Sequence, residues 1–157
     1  MSQVVLAKEI YSPVDVTFAY LQDLERAPEW WANVVEIHRL DEPGPVAAGS
    51  RFSVRYSMLG RQLNGLLTVA EVTAGQRLRY DVEGQVRAHF RWELTATAKS
   101  RTRVIAYVEY DPPGILGRAF DVIYLERRNA ADGEHAIQSL KDHLEAEAIA
   151  RIDAHVV

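Results

Sequence analysis

Residues 114–149, GILGRAFDVIYLERRNAADGEHAIQSLKDHLEAEAI, decide the fold of this chain. An apolar or small residue recurs there at every seventh position, at Leu116, Ile123, Ala130, Ile137 and Leu144. That spacing is typical of one apolar stripe along a long helix. The preceding Asp111-Pro112-Pro113-Gly114 contains two prolines, which stop a strand and allow a helix to begin. The sequence therefore predicts a long C-terminal helix over residues 114–149.

The middle of this helix is unusual for a stripe that faces a core. Between Ile123 and Ile137, small or charged residues occupy the positions expected to point inward, which are Glu126, Arg127, Ala130, Gly133 and Glu134. One interpretation is that this turn faces an internal cavity, where the small residues provide room and Arg127 or Glu134 provides polarity. The other is that Ala131-Asp132-Gly133 bends or breaks the helix, because glycine inside a helix costs roughly 1 kcal/mol relative to alanine. The two interpretations are compatible.

The composition limits the class of protein. The chain has 157 residues, of which 48% are hydrophobic and 25% charged, as expected for one globular domain over residues 1–157. A net charge of -4 and scattered basic residues argue against nucleic-acid binding. The sequence contains no cysteine, which excludes disulfides, thiolate catalysis and thiolate metal sites, and which agrees with a reducing compartment.

The sequence also argues against a membrane protein. Lys8 and Glu9 interrupt the N-terminal region before an apolar run reaches the length of a signal peptide, and nowhere do about 18 apolar residues follow one another. We therefore expect a cytoplasmic protein without stable insertion into a membrane.

The first third of the chain predicts one strand and two short helices. Alternating apolar residues predict a strand over residues 3–11. Ser12-Pro13-Val14-Asp15 resembles a capping box at the start of a first short helix. Pro28 opens a second short helix, Glu29-Trp30-Trp31-Ala32, and we expect one of its adjacent tryptophans to pack inward and the other to lie at the rim.

Alternation between apolar and polar residues predicts six more strands. The first begins with Val35 and Ile37, and the others cover residues 52–58, 66–72, 78–82, 88–94 and 104–110. A rim loop is expected at residues 41–49, and a hairpin turn at Gly60-Arg61 or at Asn64-Gly65. Short turns between consecutive strands imply an antiparallel meander. We therefore expect an α+β domain in which a curved sheet of about seven strands wraps around the long helix.

Several segments of the chain resemble a known family. Those segments are Ser12-Pro13-Val14-Asp15-Val16, Asp23-Leu24-Glu25-Arg26-Ala27-Pro28-Glu29-Trp30-Trp31, Arg77-Leu78-Arg79-Tyr80, Phe90-Arg91-Trp92-Glu93-Leu94, Thr102-Arg103-Val104, Tyr110-Asp111-Pro112-Pro113-Gly114 and Ser139-Leu140-Lys141. They are similar to the START-like, or Bet v 1-like (SRPBCC), superfamily, in its polyketide cyclase/dehydrase and lipid-transport branch. This resemblance spans almost the whole chain and implies a helix-grip fold, with two short helices between the first two strands.

The resemblance also implies a deep apolar cavity between sheet and helix that holds a lipid, sterol, aromatic or polyketide-like molecule. The residues expected to bind this molecule are Tyr56, Met58, Leu67, Tyr80, Phe90, Trp92, Tyr110, Phe120, Ile123, Arg127 and Ala130. Tyrosine and tryptophan suit such a cavity because each joins an apolar body to one hydrogen-bonding group. The alternative is that these aromatic residues are simply core.

The size of such a cavity is limited by its cost. An empty hollow of roughly 300 Å³, small for a ligand site, would cost on the order of 7 kcal/mol. That is comparable with the whole stability of a domain. The cavity is therefore expected to be small, wetted by polar groups or filled by a ligand.

Candidates for catalysis are few. Arg127 is the best inward cation and Glu134 the best inward carboxylate, although the two could equally form a solvated, charged edge of the helix. Aromatase/cyclases of this superfamily usually carry an arginine that projects from the sheet into the cavity. Here the strand over residues 66–72 contains no arginine, and Arg55 lies on the face opposite Tyr56.

The sequence predicts neither a metal site nor a cofactor. None of the five histidines has another three or four residues away, the spacing that would place two metal ligands on one helix face. His89 alternates with apolar neighbours and is expected to face solvent. Neither a glycine-rich phosphate loop nor a nucleophile elbow occurs.

Three hypotheses for the function remain open. The first is a binding or carrier protein for a hydrophobic small molecule, because an aromatic interior is present without a complete acid-base set. The second is a polyketide aromatase/cyclase or dehydratase that uses the inward polar groups. The third is a relative of the coenzyme Q-binding proteins of the same fold. The sequence leaves the oligomeric state open.

Overall fold

The computed structural model describes residues 2–58, 60–111 and 119–155, with the side chains of residues 3–58, 60–111 and 127–154. The helical elements are α1 (Val14–Gln22), a 3₁₀ helix (Leu24–Glu29) and α2 (Ala119–His155). The seven strands are β1 (Ser2–Ile10), β2 (Val34–Arg39), β3 (Arg51–Met58), β4 (Arg61–Thr73), β5 (Arg77–Gly84), β6 (Ala88–Ala98) and β7 (Arg101–Tyr110). No helix in this described part of the chain is long and apolar enough to cross a membrane.

The strands form one antiparallel sheet in the order β1-β7-β6-β5-β4-β3-β2. Strands β2 to β7 follow one another as a meander, and β1 returns to pair with β7. The sheet is curved and the long helix α2 packs on it, which confirms the predicted α+β helix-grip architecture.

The two faces of the sheet differ in polarity, as the alternation of apolar and polar residues along each strand predicts. On the concave face, Leu78, Tyr80 and Val82 of β5 are buried. On the outer face, the neighbouring positions carry polar side chains that contact one another, such as Asp81 and His89 with 2.6 Å between Oδ1 and Nδ1. Side chains of successive strand residues point to opposite faces, so one face can build a core while the other stays solvated. His89 is exposed, as predicted.

The hairpin between β3 and β4 turns at Gly60. Its φ angle of +75° lies in the left-handed region that glycine adopts without strain. Asn64 and Gly65, the alternative turn, instead lie inside β4, where Gly65 pairs with Val54. A Cβ atom on Gly65 would lie 2.8 Å from Cγ1 of Val82, so glycine there permits close packing of neighbouring side chains.

Two predictions about the short helices are wrong. Ser12 does not form a capping box, because α1 begins after Pro13 and has no side-chain cap. The Ser12 carbonyl instead accepts a hydrogen bond of 2.8 Å from the Thr102 hydroxyl, which ties the start of α1 to β7. The second short helix spans Leu24–Glu29 and contains Pro28, because helical turns begin directly after α1, where the N–H of Arg26 donates to Asp23.

Helix α2 runs without a break from Ala119 to His155. It continues past the predicted end at Ile149, while the predicted start at residues 114–118 lies outside the described part of the chain. The alternative prediction is that Ala131-Asp132-Gly133 bends or breaks the helix, and a break there is wrong because the helix is continuous. Gly133 serves packing instead, because a Cβ atom there would lie 2.8 Å from Cδ1 of Leu6. The glycine lets α2 approach β1 closely.

Candidate functional site

A cavity of about 150 Å³ lies between the concave face of the sheet and helix α2. Its wall is made mostly of apolar and aromatic side chains from all seven strands and from the segment around Trp31. Seven of the residues predicted to bind a ligand line it, namely Tyr56, Met58, Leu67, Tyr80, Phe90, Trp92 and Tyr110. The predicted sheet wall and the observed one therefore coincide, while binding by these residues remains a prediction.

Aromatic rings form one continuous side of the cavity. Trp31 meets Phe90 edge to face at 5.4 Å between ring centroids, and Phe90 stacks on Tyr80 at 4.9 Å. Behind them, Trp30 is buried and stacks on Trp31 at 5.3 Å. Offset stacking and edge-to-face contacts are the preferred arrangements of aromatic pairs. Of the adjacent tryptophans, Trp31 therefore lines the cavity while Trp30 packs behind it.

Tyr80 is held in the wall by its neighbour on β6. The Trp92 indole Nε1–H donates to the Tyr80 hydroxyl at 3.1 Å. Burial raises the pKa of Tyr80 above its usual value, and the bond from Trp92 opposes this shift only in part. Tyr80 therefore stays neutral at physiological pH and can act only as a neutral hydrogen-bonding group.

Tyr110 and Tyr56 add two more phenol groups to the wall. Tyr110, the last residue of β7, is buried, and its hydroxyl has no hydrogen-bond partner among the described residues. Tyr56 is half-buried, and burial raises its pKa, while a hydrogen bond with the backbone of Val86 lowers it. The cavity thus contains phenol oxygens in an otherwise apolar setting.

Helix α2 closes the cavity with polar and small residues. Those that line it are Asn129, Asp132, Gly133 and Ala136. One turn further on, Ile137 and Leu140 are fully buried. The interpretation that the middle of the helix borders a cavity thus agrees with the structure, although the space beside Gly133 is filled by Leu6.

For Arg127 and Glu134 the structure agrees with the alternative of a solvated, charged edge of the helix, whereas Ala130 does not lie where it was expected. Arg127 is exposed, and the side chain of Glu134 is 57% exposed, with Lys8 at 4.0 Å. Ala130 is half-buried and does not line the cavity. The side chains of Phe120 and Ile123, the remaining predicted contacts, lie outside the described part of the chain.

The reason for this difference is the rotation of the helix. Each residue advances an α-helix by about 100°. The buried side chains of α2 then centre roughly 50° from the line through Ile137, on the side away from Glu134. The predicted stripe therefore runs along one edge of the buried face, and Arg127 and Glu134 fall beyond that edge. Exposed pairs such as Lys8 and Glu134 contribute little to stability.

The cavity has one polar end, formed by Asn33, Ser57 and Asp132. The Asn33 side-chain amide donates to Oδ2 of Asp132 and to the Ser57 carbonyl, both at 3.1 Å. Arg128 lies 3.5 Å from Asp132 on the outer side. The same three residues also line an adjoining surface depression of about 350 Å³, together with Arg128 and His135. They therefore form the boundary between the cavity and the surface.

Asn33, Val86 and Asp132 are among the lining residues that sequence reasoning did not predict, and it left open which of Trp30 and Trp31 lies at the cavity. Val86 lies in the turn between β5 and β6, where a buried apolar residue breaks the usual polar composition of a turn. Asp132 stood in the unusual part of the helix and was assigned to a helix break. Asn33 gave no usable pattern, because its partner is 99 residues away.

The described residues also limit other kinds of chemistry. Among their histidine, aspartate and glutamate side chains, no three lie close enough together to hold a metal ion. Of the described residues that line the cavity, Asp132 is the only charged one. The arrangement is therefore best suited to holding an uncharged, mostly apolar molecule. An empty cavity of this volume costs only about 4 kcal/mol, which a domain tolerates.

Residues 1–145 match the model of a family described as polyketide cyclase / dehydrase and lipid transport. Among curated proteins, none matches the chain.

Solved structures with the same fold come from several bacteria. A protein of Thermus thermophilus has a TM-score of 0.80 at 17% identity, over 93% of this chain and 99% of that one. A START superfamily protein from Mycobacterium smegmatis has a TM-score of 0.77 at 12% identity, over 92% and 97% of the two chains. The Zhui aromatase/cyclase from Streptomyces sp. R1128 has a TM-score of 0.73 at 12% identity, over 94% and 95%. At such identities the likeness shows the fold alone.

Proposed function

Because this chain belongs to the polyketide cyclase/dehydrase and lipid-transport family, as the resemblance predicted, we propose that it binds a hydrophobic small molecule in its internal cavity. Family and fold support a role in hydrophobic ligand binding or in cyclisation. The observation that carries the choice of binding is the cavity of about 150 Å³ with its apolar and aromatic wall.

The volume of the cavity indicates the size of the ligand. An engineered apolar cavity of about 150 Å³ in another protein takes up benzene, whereas sites for drug-sized ligands measure about 300–1,000 Å³. We therefore propose a ligand with the bulk of one substituted ring or a short branched chain. A long lipid, a polyketide of several rings or a quinone with a long tail would exceed this volume.

Entry of the ligand is proposed to occur at the polar end. Asn33, Ser57 and Asp132 separate the cavity from the surface depression, and hydrogen bonds hold them together. Such bonds contribute only about 1 kcal/mol each, so they can open transiently. A wall of stacked aromatic rings on the other side offers no comparable weak point.

Catalysis in the same cavity is the less favoured alternative. An aromatase/cyclase or dehydratase needs a proton donor or acceptor beside the reacting carbons. The candidates from sequence, Arg127 and Glu134, are exposed, so this role would fall to Asp132. Asp132 is hydrogen-bonded to Asn33 and lies near Arg128, which favours a positioning role at the entrance over proton transfer.

The proposal is tested by filling the cavity. Ala136 lines it and is buried, so Ala136→Leu adds three carbon atoms to a space that fits one ring. Titration of the free protein with ethylbenzene, followed by calorimetry and by two-dimensional NMR, should show saturable binding. Ala136→Leu should weaken this binding at least tenfold, because the added side chain occupies the same volume.

The matched control is Ala131→Leu on the same helix, where the residue is exposed. It should keep the affinity of the unchanged protein. Absence of saturable ethylbenzene binding to the unchanged protein would contradict the proposed function, and equal binding by both variants would place the ligand elsewhere. Organic extraction of the natively purified protein, followed by mass spectrometry, then identifies the natural ligand.

A further inference from the structure

We propose that the ligand carries an uncharged acceptor oxygen, a carbonyl or an ether, which accepts a hydrogen bond from the Tyr110 hydroxyl. This inference rests on the proposed function and narrows the class of ligand from apolar molecules in general to oxygenated ones. Two phenol groups in the cavity wall lead to it.

The first is Tyr110 itself. The residue is only 3% exposed, and it lines the cavity. Its hydroxyl is buried and has no hydrogen-bond partner among the described residues. Buried polar groups in native proteins nearly always have a partner, so each exception requires an explanation. A phenylalanine would fill the same space without this unpaired hydroxyl. The hydroxyl oxygen has almost no accessible surface in the free protein, so a ligand oxygen would supply the missing partner after a small displacement of neighbouring side chains.

The second is Tyr80. Its hydroxyl accepts the bond from Trp92 Nε1–H, so its own proton remains available for donation. The described hydrogen bonds include no acceptor for that proton. Burial raises the pKa of Tyr80, which keeps the proton on the oxygen. The wall therefore offers a second neutral donor.

Both tyrosines lie on the concave face, on strands separated by β6. Tyr80 pairs with Phe90, Phe90 pairs with Val108, and Tyr110 follows two residues later on the same face of β7. Strand spacing and rise then place the two Cα atoms roughly 12 Å apart. The two tyrosines therefore belong to the same wall of the cavity, two strands apart.

The chemistry of these groups selects an uncharged acceptor. Both phenols donate hydrogen bonds, so the complementary ligand atom is an acceptor oxygen. A carboxylate or phosphate would have to lose its hydration in an apolar cavity, where no described lining residue carries a positive charge. The ligand class is therefore a small ketone, aldehyde, ester or ether with an apolar ring or branched chain.

The test uses two probes of nearly equal shape, acetophenone and α-methylstyrene, which differ in a carbonyl oxygen against a methylene group. Their dissociation constants are measured by calorimetry for the unchanged protein, for Tyr110→Phe and for Tyr107→Phe. Tyr107 is the control because it lies on the same strand but on the outer face, under the guanidinium of Arg91. For each protein we take the ratio of the two dissociation constants. Comparing this ratio between variants cancels the difference in hydrophobicity between the two probes.

The expected result concerns that ratio. Tyr110→Phe should reduce the preference for acetophenone roughly three- to tenfold, the loss of one hydrogen bond, and Tyr107→Phe should leave it unchanged. Binding of both probes with a ratio unaffected by Tyr110→Phe overturns this inference and leaves the proposed function intact. Failure of both probes to bind overturns the two together.

The free protein provides a second measurement. If the Tyr110 hydroxyl has no partner before the ligand binds, Tyr110→Phe should keep or raise the urea midpoint of unfolding. A lowered midpoint would show that the hydroxyl is already bonded in the free protein, and it would overturn the inference.

Discussion

The two halves of helix α2 face the same sheet but meet it differently. Ile137, Leu140 and Leu144 are fully buried and fill the space in front of the sheet. Two turns earlier, Asn129, Asp132, Gly133 and Ala136 line the cavity. Backbone geometry is the same in both halves, so the size and polarity of the side chains make the difference. We call them the packed half, residues 137–144, and the hollow half, residues 129–136.

This difference places the packing that stabilises the fold and the proposed ligand cavity on different halves of one helix. Fully buried leucine and isoleucine side chains contribute most to the free energy of folding. A hollow costs stability in proportion to its volume. A protein that needs a cavity can therefore place it beside one half of a helix and anchor the helix with the other half. The predictions below test this division, from the largest expected effect to the smallest.

The largest effect is expected in the packed half. Leu140→Ala should lower the free energy of unfolding by about 2–5 kcal/mol, because it removes three buried carbon atoms and leaves a new void. Urea unfolding followed by circular dichroism measures this change. Ile149→Ala on the same helix is the control, because Ile149 is 59% exposed, and its effect should stay within about 0.5 kcal/mol. Equal effects of both substitutions would contradict the division into halves.

A smaller effect is expected where the hollow half meets the rest of the chain. Asn33→Ala removes the hydrogen bonds to Asp132 and to the Ser57 carbonyl, so unfolding should become easier by about 1–2 kcal/mol. The exchange rate of ethylbenzene, measured from NMR line shapes, should rise because the polar end opens more often. Asn64→Ala, at an exposed position of β4, is the control and should change neither quantity. A slower exchange in Asn33→Ala would place the entrance elsewhere.

The smallest effect is expected in the pH dependence of stability, through Tyr80 in the wall opposite the hollow half. Burial raises the pKa of Tyr80, so the folded state keeps its proton when the unfolded chain loses it above about pH 10. The folded state then binds more protons, and stability falls as the pH rises above that point. Tyr80→Phe should reduce this alkaline loss, measured by urea unfolding at pH values from about 8 to 11. Affinity for ethylbenzene should stay constant from about pH 6 to 9, and a change there would mean that another group titrates at the site.

The sheet side of the molecule could be predicted from the sequence, because each strand carries its own alternation. Tyr80, Phe90 and Trp92 stand at alternate or paired positions, and that period alone places them on one face. The glycine at position 60 likewise predicted the turn from the local sequence alone. Asn64-Gly65 shows that a dipeptide typical of turns can instead lie in a strand and permit close packing.

The helix side could be predicted only in part, because a helix has no local marker for its rotation. A stripe through Ile137 and Leu144 is compatible with several inward faces that differ by tens of degrees. The contact between Gly133 and Leu6 and the bond between Asn33 and Asp132 fix the rotation, and both join residues distant in sequence. For that reason Arg127 and Glu134 were predicted to point inward, and Asp132 was missed.

The close approach at Gly133 sets the distance between helix α2 and strand β1. A Cβ atom at this position would lie only 2.8 Å from Cδ1 of Leu6. Even alanine there must therefore displace the leucine or move helix α2 away from β1. Either response changes the volume of the cavity, while the aromatic residues of the opposite wall remain the same. The size of the proposed ligand can thus be limited by one contact between the helix and a side chain of the first strand, both of which line the cavity.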